Sequence, residues 1–173
     1  YTVTVSKSGY TTKVITGVVL SNGVLTNLNV QLALPGVTVS GKVEDVNATG
    51  IPVAKVVLED NNGFIYNATT DSAGNYVING VYPGFYTATA GKWKYNNNCQ
   101  SILVNSPVSG LNFSFARGLS DDFTFDFGWT KTSTAKRGKW VRGVPEGTTY
   151  INLNDANPGE DVNSDCNNKA YIT

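Results

Sequence analysis

A segment at the start of the chain recurs in its middle. Residues 1–10 (YTVTVSKSGY) match residues 86–95 (YTATAGKWKY) in both tyrosines, both threonines and the lysine, at an offset of 85 residues. Residues 28–32 match residues 111–115 at an offset of 83, and a small change of loop length explains the difference. Because self-similarity at a fixed period is the signature of tandem modules, the chain is predicted to hold more than one copy of a module.

The repeat divides the chain into three predicted parts. Residues 1–34 are the C-terminal part of a first module, and residues 35–116 are a complete second copy. Residues 117–173 lack the repeated pattern and form a third segment.

The complete copy has the pattern of an all-β domain. Short β-branched and aromatic runs alternate with Gly, Asn, Asp and Pro, and no segment keeps apolar residues at helical spacing. Turn signals lie at Asn61–Gly63, Asp71–Gly74 and Pro83-Gly84. Seven strands at such spacing favour an antiparallel two-sheet sandwich. The predicted strands are residues 37–43, 53–59, 64–69, 76–79, 85–90, 101–105 and 111–115.

Alternation within the repeated strand assigns its two faces, because successive side chains of a strand point to opposite sides. Thr87 and Thr89 are predicted to point outward. The inward positions are Tyr86, Ala88 and Ala90 in the complete copy, and Tyr1, Val3 and Val5 in the first.

Composition limits the chemistry that the chain can perform. The 173 residues include no histidine, which rules out Ser-His-Asp and Cys-His nucleophile systems and the usual zinc sites of hydrolases within this chain. Thirteen basic and thirteen acidic residues balance, unlike the charge of a nucleic-acid binder. No apolar stretch approaches the roughly 20 residues that span a bilayer. We therefore expect no catalytic and no cofactor-binding residue, no nucleic-acid partner and no membrane span.

The two cysteines are relevant to the cellular compartment of the protein. Low charge, many Thr and Asn residues and loop-rich β structure favour an extracytoplasmic setting, in which disulfides persist. Cys99 and Cys166 are therefore candidates for one disulfide. The alternative of two free thiols stays open, because the sequence does not fix the distance between them.

Four motifs relate the complete copy to a known family. They are Val39-Ser-Gly-Lys-Val43, Ile51-Pro-Val53, Thr70-Asp-Ser-Ala-Gly-Asn-Tyr76 and Val81-Tyr-Pro-Gly-Phe-Tyr86. With them, residues 35–116 resemble a carboxypeptidase regulatory-like module of the transthyretin-like or prealbumin-like type. The resemblance implies a seven-stranded prealbumin-like sandwich.

The third segment has its own motifs. Asp121–Trp129 contains Phe-x-x-Gly-Trp, and Gly138–Pro145 contains Trp-x-Arg-Gly-x-Pro. Both resemble the opening of a jelly-roll module found near the C-terminus of bacterial secreted peptidases. The resemblance implies that residues 117–173 are the N-terminal part of a jelly-roll-like module. We expect Trp129 and Trp140 in the core of that module.

The polar run from Asp155 to Asp165 is a candidate metal site. Side-chain oxygens at alternate positions can surround a hard cation, and calcium takes 6–8 oxygens in flexible geometry. The predicted calcium ligands are Asp155, Asp161, Asn163 and Asp165. The alternative is a solvated polar loop, since the run lacks the glycine and the closing glutamate of an EF-hand.

The resemblances imply a non-catalytic accessory or spacer region of a large secreted or cell-surface bacterial protein, with a peptidase as the expected parent. The chain opens within a strand pattern and carries no signal peptide, so we expect an excerpt of a longer polypeptide. The expected partners are then other domains of that polypeptide.

Two alternatives stay open. One is a structural subunit of an extracellular filament or adhesin, in which neighbouring copies of the same chain complete the open ends strand to strand. The other is a carbohydrate-binding module for cell-surface polysaccharide, with Trp93, Tyr95, Tyr82 and Phe85 as an aromatic platform.

Overall fold

The computed structural model describes residues 1–20, 27–118, 121–132, 134, 138–150, 154–157, 159–161 and 165–172, leaving aside the side chains of 149, 150 and 154–157. Every regular element in these residues is a β-strand, which confirms the predicted all-β class. The strands are β1 Val3–Val5, β2 Lys13–Ile15, β3 Val37–Asp45, β4 Lys55–Glu59, β5 Ile65–Thr69, β6 Asn75–Val81, β7 Gly84–Gly91, β8 Asn98–Val104, β9 Phe113–Phe115, β10 Val141–Gly143, β11 Thr148–Tyr150, β12 Asn154–Asn157 and β13 Ala170–Ile172.

In the described part of the chain there is no helix of the length and apolarity needed to cross a membrane.

Strands β3 to β9 form a two-sheet sandwich. One sheet has the antiparallel order β5-β4-β7-β8, and the other has the order β6-β3-β9. In the second sheet β3 pairs with β6 antiparallel and with β9 parallel. The parallel pair forms because the connection from β8 to β9 changes sheets and runs along β3, where Val108 exchanges backbone hydrogen bonds with Thr38 and Ser40.

The inner faces of the two sheets make one hydrophobic core. In β7, Tyr86, Ala88 and Ala90 are buried, as the alternation predicted. Burial of a large aliphatic or aromatic side chain stabilises a fold by about 1.5–3 kcal/mol. The largest fully buried side chains are Phe113, Phe115, Leu58, Val39, Val43, Val56, Val81 and Val104.

One buried hydroxyl joins two of the family motifs. Thr70 Oγ1 donates to the carbonyl of Ile51 at 2.7 Å and accepts the amide N–H of Ala54 at 2.8 Å. The segment before β4 is thereby fixed against the end of β5. Because unpaired backbone groups are costly in a core, a residue with both a donor and an acceptor is needed here.

Three turns of the sandwich share one construction. In Asp45–Thr49, Asp60–Phe64 and Asp71–Asn75, the first aspartate accepts the amides of the third and fifth residues at 2.8–3.0 Å. The fourth residue has a left-handed φ in each turn, and it is glycine in two turns and Ala48 in the third. The aspartate fixes the turn amides, and the fourth position favours glycine because a Cβ is disfavoured there.

The hairpin of β1 and β2 has the same register as the hairpin of β7 and β8. Val3 pairs with Ile15 in the first hairpin, and Ala88 pairs with Gln100 in the second. Ala88 and Gln100 lie 85 positions after Val3 and Ile15, respectively. The other two residue pairs of β1 and β2 follow the same offset. The repeated sequence therefore builds a repeated structure.

The two hairpins differ in what covers them. Tyr1 is 78% exposed, whereas its counterpart Tyr86 is 6% exposed beneath the opposite sheet. Among the described residues, β1 and β2 form a sheet of two strands, while β7 and β8 belong to a sheet of four. Within the described residues, the face of the first hairpin that corresponds to a core face is therefore only partly covered, with Tyr1 exposed and Val3 and Val5 half-buried.

The third segment contains two small sheets. β10 pairs with β13, and β11 pairs with β12, both antiparallel.

The expectation that Trp129 and Trp140 lie in a core was wrong, since both are about half exposed. Phe125 is buried instead, against the site where a side chain at Gly91 would lie. Trp129 stays at the surface because its Nε1–H donates to the carboxylate of Asp121.

Candidate functional site

The third segment lies on the outer face of the four-stranded sheet. A disulfide joins Cys99 in β8 to Cys166, with the two Cα atoms 5.6 Å apart. Thr89 lies opposite Cys99 on β7 and is 4% exposed, although it points away from the sandwich core. The third segment therefore covers this end of the sheet.

Polar contacts extend this attachment. Lys55 Nζ donates to the carbonyl of Asp126 at 2.7 Å, which joins β4 to the third segment. Within the segment, the amide of Asn167 donates to Thr124 Oγ1 and to the carbonyl of Asp122. The stretch that follows Cys166 is thus held to the stretch that follows the sandwich.

A polar cleft of about 490 Å³ lies between the sheet and the third segment. Glu59 and Thr87 line it from the sheet, and Asp165 and Lys169 line it from the third segment. Burial raises the pKa of Asp165, and the carboxylates of Asp161 and Asp122 raise it further. The carboxyl of Asp165 therefore lies in the field of two other carboxylates beside this cleft.

The predicted calcium ligands fall only partly within the described residues. Asn163 lies outside them, and of Asp155 the structure describes the backbone alone, in β12. Asp161 and Asp165 lie near each other, as the raised pKa of Asp165 indicates. Over the ranges that are described, no three His, Cys, Asp or Glu residues are placed to hold a metal ion. Calcium binding stays a prediction, and a rise of melting temperature on adding calcium to chelated protein is its test.

A second groove, of about 640 Å³, lies at one end of the sandwich. It is formed where the turn Asp60–Phe64 meets the turn that joins β6 to β7. Tyr66 Oη accepts the amide N–H of Tyr82 at 3.1 Å, and Tyr86 Oη donates to the carbonyl of Tyr82 at 2.8 Å. The first bond ties the β6–β7 turn to strand β5, and the second closes that turn on itself.

Aromatic rings line this groove, which we call the aromatic groove: Phe64, Tyr66, Tyr82, Phe85 and Tyr86. The Phe64 and Tyr66 ring centroids are 5.2 Å apart, and those of Tyr66 and Tyr86 are 5.9 Å apart in edge-to-face contact. Phe85 is 70% exposed, Phe64 55% and Tyr82 48%. Tyr66, which is half-buried, and Tyr86, which is buried, thus support the three rings that face solvent.

The polar residues of the aromatic groove come from the Asp60 turn. The amide N–H of Phe64, followed by that of Asn62, holds the pKa of Asp60 below its usual range, so the carboxylate is ionised at neutral pH. Asn61 adds a side-chain amide to the lining. Of the described residues that line the groove, none is basic. The groove therefore combines apolar ring faces with negative and neutral hydrogen-bonding groups.

The predicted aromatic platform is divided in two. Tyr82 and Phe85 line the aromatic groove, where β7 begins. Trp93 follows the other end of β7 and contacts Trp129, with ring centroids 5.4 Å apart. Tyr95 packs against Phe115 at the edge of the core. Because β7 is extended over eight residues, the two pairs lie at opposite ends of the sandwich.

Sequence reasoning missed Phe64 and Asp60 as members of this groove. They belong to the β4–β5 hairpin, and only the pairing of β4 with β7 brings that hairpin beside Phe85. The signal in the sequence was an apolar residue directly after the Asn-Asn-Gly turn, where strand ends usually carry polar residues.

Comparison with solved structures gives distant likenesses. A type II cohesin–X-dockerin complex of Acetivibrio cellulolyticus with a mutated N-terminal interface is 24% identical over 47% of this chain and 58% of that chain, with a TM-score of 0.38. Its C-terminal interface mutant is 25% identical over the same shares, with a TM-score of 0.39. The Bacillus anthracis TIE protein is 16% identical over 66% of this chain and 23% of that chain, with a TM-score of 0.42. This chain therefore covers 58% or less of the length of each of these three chains.

No curated protein matches the chain in sequence. A family model does: the carboxypeptidase regulatory-like domain matches residues 38–116, which run from β3 to just beyond β9. All four motifs that carried the resemblance lie in this match. Residues 38–116 of this chain are therefore a carboxypeptidase regulatory-like domain.

Proposed function

We propose that the chain is a non-catalytic accessory region of a larger secreted or cell-surface protein, with a peptidase as the parent enzyme. Its β-sandwich modules follow one another in tandem and act as spacers or docking surfaces for the other domains. The observation that carries the proposal is the hairpin β1–β2, which repeats the register of β7–β8 at an offset of 85 residues.

Two further observations support an extracytoplasmic spacer. Residues 38–116 match the family described as the carboxypeptidase regulatory-like domain. The disulfide between Cys99 and Cys166 suits an oxidising compartment and fixes the third segment on the sheet. A spacer that keeps its neighbours at a set distance needs such fixed junctions.

Fractionation of the source organism tests this proposal. An antibody raised against residues 38–116 should detect a polypeptide much longer than 173 residues in the secreted or surface fraction. Mass spectrometry of that band should find a hydrolase domain in the same polypeptide. The purified 173-residue chain should leave peptide substrates intact. Detection only in the cytosol, or hydrolysis by the purified chain, would contradict the proposal.

The partly covered face of the first hairpin favours a second candidate, a subunit of an extracellular filament. Tyr1, Val3 and Val5 occupy the positions that are buried in the complete module, and in the filament a neighbouring copy supplies the covering strands. Head-to-tail contacts of this kind do not close and so extend.

Sedimentation velocity of the 173-residue chain separates the two candidates. A monomer at all concentrations supports the accessory region. Large assemblies support the filament, and Val3→Lys should then dissolve them because it charges the partly covered face. Thr4→Lys is the matched control, since Thr4 lies on the opposite face of the same strand and is exposed. Assemblies that both variants dissolve equally would contradict strand complementation at this face.

A further inference from the structure

We propose that the aromatic groove binds a neutral oligosaccharide, stacked on Phe85 and Phe64 and hydrogen-bonded to the Asp60 turn. The inference goes beyond the accessory role, because it gives the regulatory-like module a ligand of its own. It rests on the shape, the exposed rings and the polar groups of the groove.

The exposed rings provide the apolar part of the site. A soluble domain seldom leaves several aromatic rings together in solvent, and such groups mark binding surfaces. Phe64 and Phe85 are each more than half exposed, and they come from different hairpins. The faces of these rings carry negative charge density, which attracts the C–H groups on the flat face of a pyranose ring.

The polar groups of the groove select what can bind. Asp60 offers carboxylate oxygens as acceptors, and Asn61 offers one acceptor and two donors. The hydroxyl proton of Tyr86 is already donated to the carbonyl of Tyr82. Because the carboxylate of Asp60 can only accept, a ligand that pairs with it must bring donors, and sugar hydroxyls are donors as well as acceptors.

Competing ligands fit these groups less well. A proline-rich peptide presents carbonyl oxygens without N–H donors at its prolines, and those oxygens would face the ionised Asp60. An anionic ligand would meet the same carboxylate with no basic residue among the described lining residues. A neutral chain of sugars can stack on the rings and donate hydrogen bonds to the carboxylate.

The groove is also preformed. The hydrogen bonds of Tyr82 to Tyr66 and Tyr86 hold the β6–β7 turn, and Asp60 fixes its own turn through the amides of Asn62 and Phe64. Binding then orders few groups, which favours affinity for a small ligand. Its volume of about 640 Å³ falls within the range of small-molecule sites.

Isothermal titration of the 173-residue chain tests the proposal with four probes: cellohexaose, xylohexaose, mannohexaose and chitohexaose. We expect at least one of them to bind, and Phe85→Ala to weaken that binding about tenfold. Asn61→Ala should weaken it as well, through the lost hydrogen bonds. Val77→Ala, at an exposed apolar position of the other sheet, is the control and should leave affinity unchanged.

The same titration can also overturn the proposal. If none of the four oligosaccharides binds, or if binding is unaffected by Phe85→Ala, the groove is not the site. Binding of a decaproline peptide without any oligosaccharide would assign the groove to peptides instead. Melting temperatures of all variants confirm that each is folded. The result is independent of the accessory role, since hydrolysis and fractionation are measured separately.

Discussion

The hydroxyl of Thr70 has both of its hydrogen-bonding functions engaged in the core, and we expect its loss to be costly. Thr70→Val keeps the shape of the side chain but leaves the Ala54 amide and the Ile51 carbonyl without this partner. Leaving a buried backbone group unsatisfied costs about 1–3 kcal/mol. Chemical denaturation should show the free energy of unfolding lowered by that amount.

The neighbouring Thr69 provides the control. Its side chain is exposed in the edge strand β5, so Thr69→Val should change the free energy of unfolding by less than about 0.5 kcal/mol. Equal effects of the two substitutions would show that Thr70 acts through size or β propensity rather than through its hydrogen bonds.

Ala48 occupies a backbone conformation that suits glycine, and its replacement should stabilise the protein. Its φ is 61°, whereas the equivalent position in the other two aspartate turns is glycine. A Cβ in the left-handed region costs roughly 1–2 kcal/mol, part of which the extra chain entropy of glycine offsets. Ala48→Gly should therefore raise the free energy of unfolding by about 0.5–1 kcal/mol, measured by urea denaturation.

A second alanine-to-glycine change tests the explanation. Ala73 is exposed in the turn Asp71–Asn75, one position before its glycine, and its φ is not positive. Ala73→Gly should be neutral or destabilising, because it adds only unfolded-state entropy. Stabilisation by both substitutions would mean that backbone strain at Ala48 is not the cause.

At the level of elements, the three aspartate turns make stability depend on pH. Backbone amides lower the pKa of Asp45, Asp60 and Asp71 below the ordinary value of 3.8. A carboxyl with a lower pKa in the folded state contributes stability above the unfolded pKa and loses it as pH falls through the folded pKa. The melting temperature should therefore fall as the pH drops below about 4.

Substitution of the three aspartates isolates their contribution. The triple variant Asp45→Asn, Asp60→Asn and Asp71→Asn keeps an acceptor oxygen in each turn but does not titrate. Its melting temperature should depend less on pH below 4 than that of the unsubstituted chain. Glu146→Gln with Glu160→Gln, outside these turns, is the control. An unchanged pH profile in the triple variant would assign acid unfolding to other carboxyls.

The strands of the sandwich could be predicted from the sequence because their signals are local. Alternation and turn residues placed all seven, and each overlaps an observed strand from β3 to β9. The boundaries differed where a neighbour decides them. β4 begins at Lys55 rather than at Val53, which has a φ of 54° in a turn. β8 begins at Asn98, because its polar start is paired with β7.

The candidate site could not be predicted to the same degree, because it depends on contacts that are distant in sequence. The aromatic groove needs Phe64 beside Phe85, and this follows only from the order of strands in the sheet. The parallel pairing of β9 with β3 likewise follows from a connection that changes sheets. Trp129 was expected in a core, yet its indole N–H has a carboxylate partner at the surface.

In the whole molecule, the regulatory-like sandwich is the common support of two surfaces. The outer face of its four-stranded sheet carries the third segment at the Cys99 end, and the aromatic groove opens where β7 begins. The groove adjoins the polar cleft beside the third segment, because Asp60 and Asn61 line both.

The disulfide is the covalent part of the junction between the sandwich and the third segment, and its removal should release that segment. It closes a loop of 67 residues, for which chain entropy corresponds to about 4 kcal/mol. Cys99→Ser with Cys166→Ser should lower the free energy of unfolding by up to that amount. Under limited proteolysis, residues 121–172 should become susceptible while 38–116 resist, because the sandwich keeps its own core. The unsubstituted chain in reductant should behave like the double variant. If proteolysis instead leaves both regions as resistant as before, then polar contacts such as that of Lys55 suffice to hold the third segment, and the disulfide is not what fixes it.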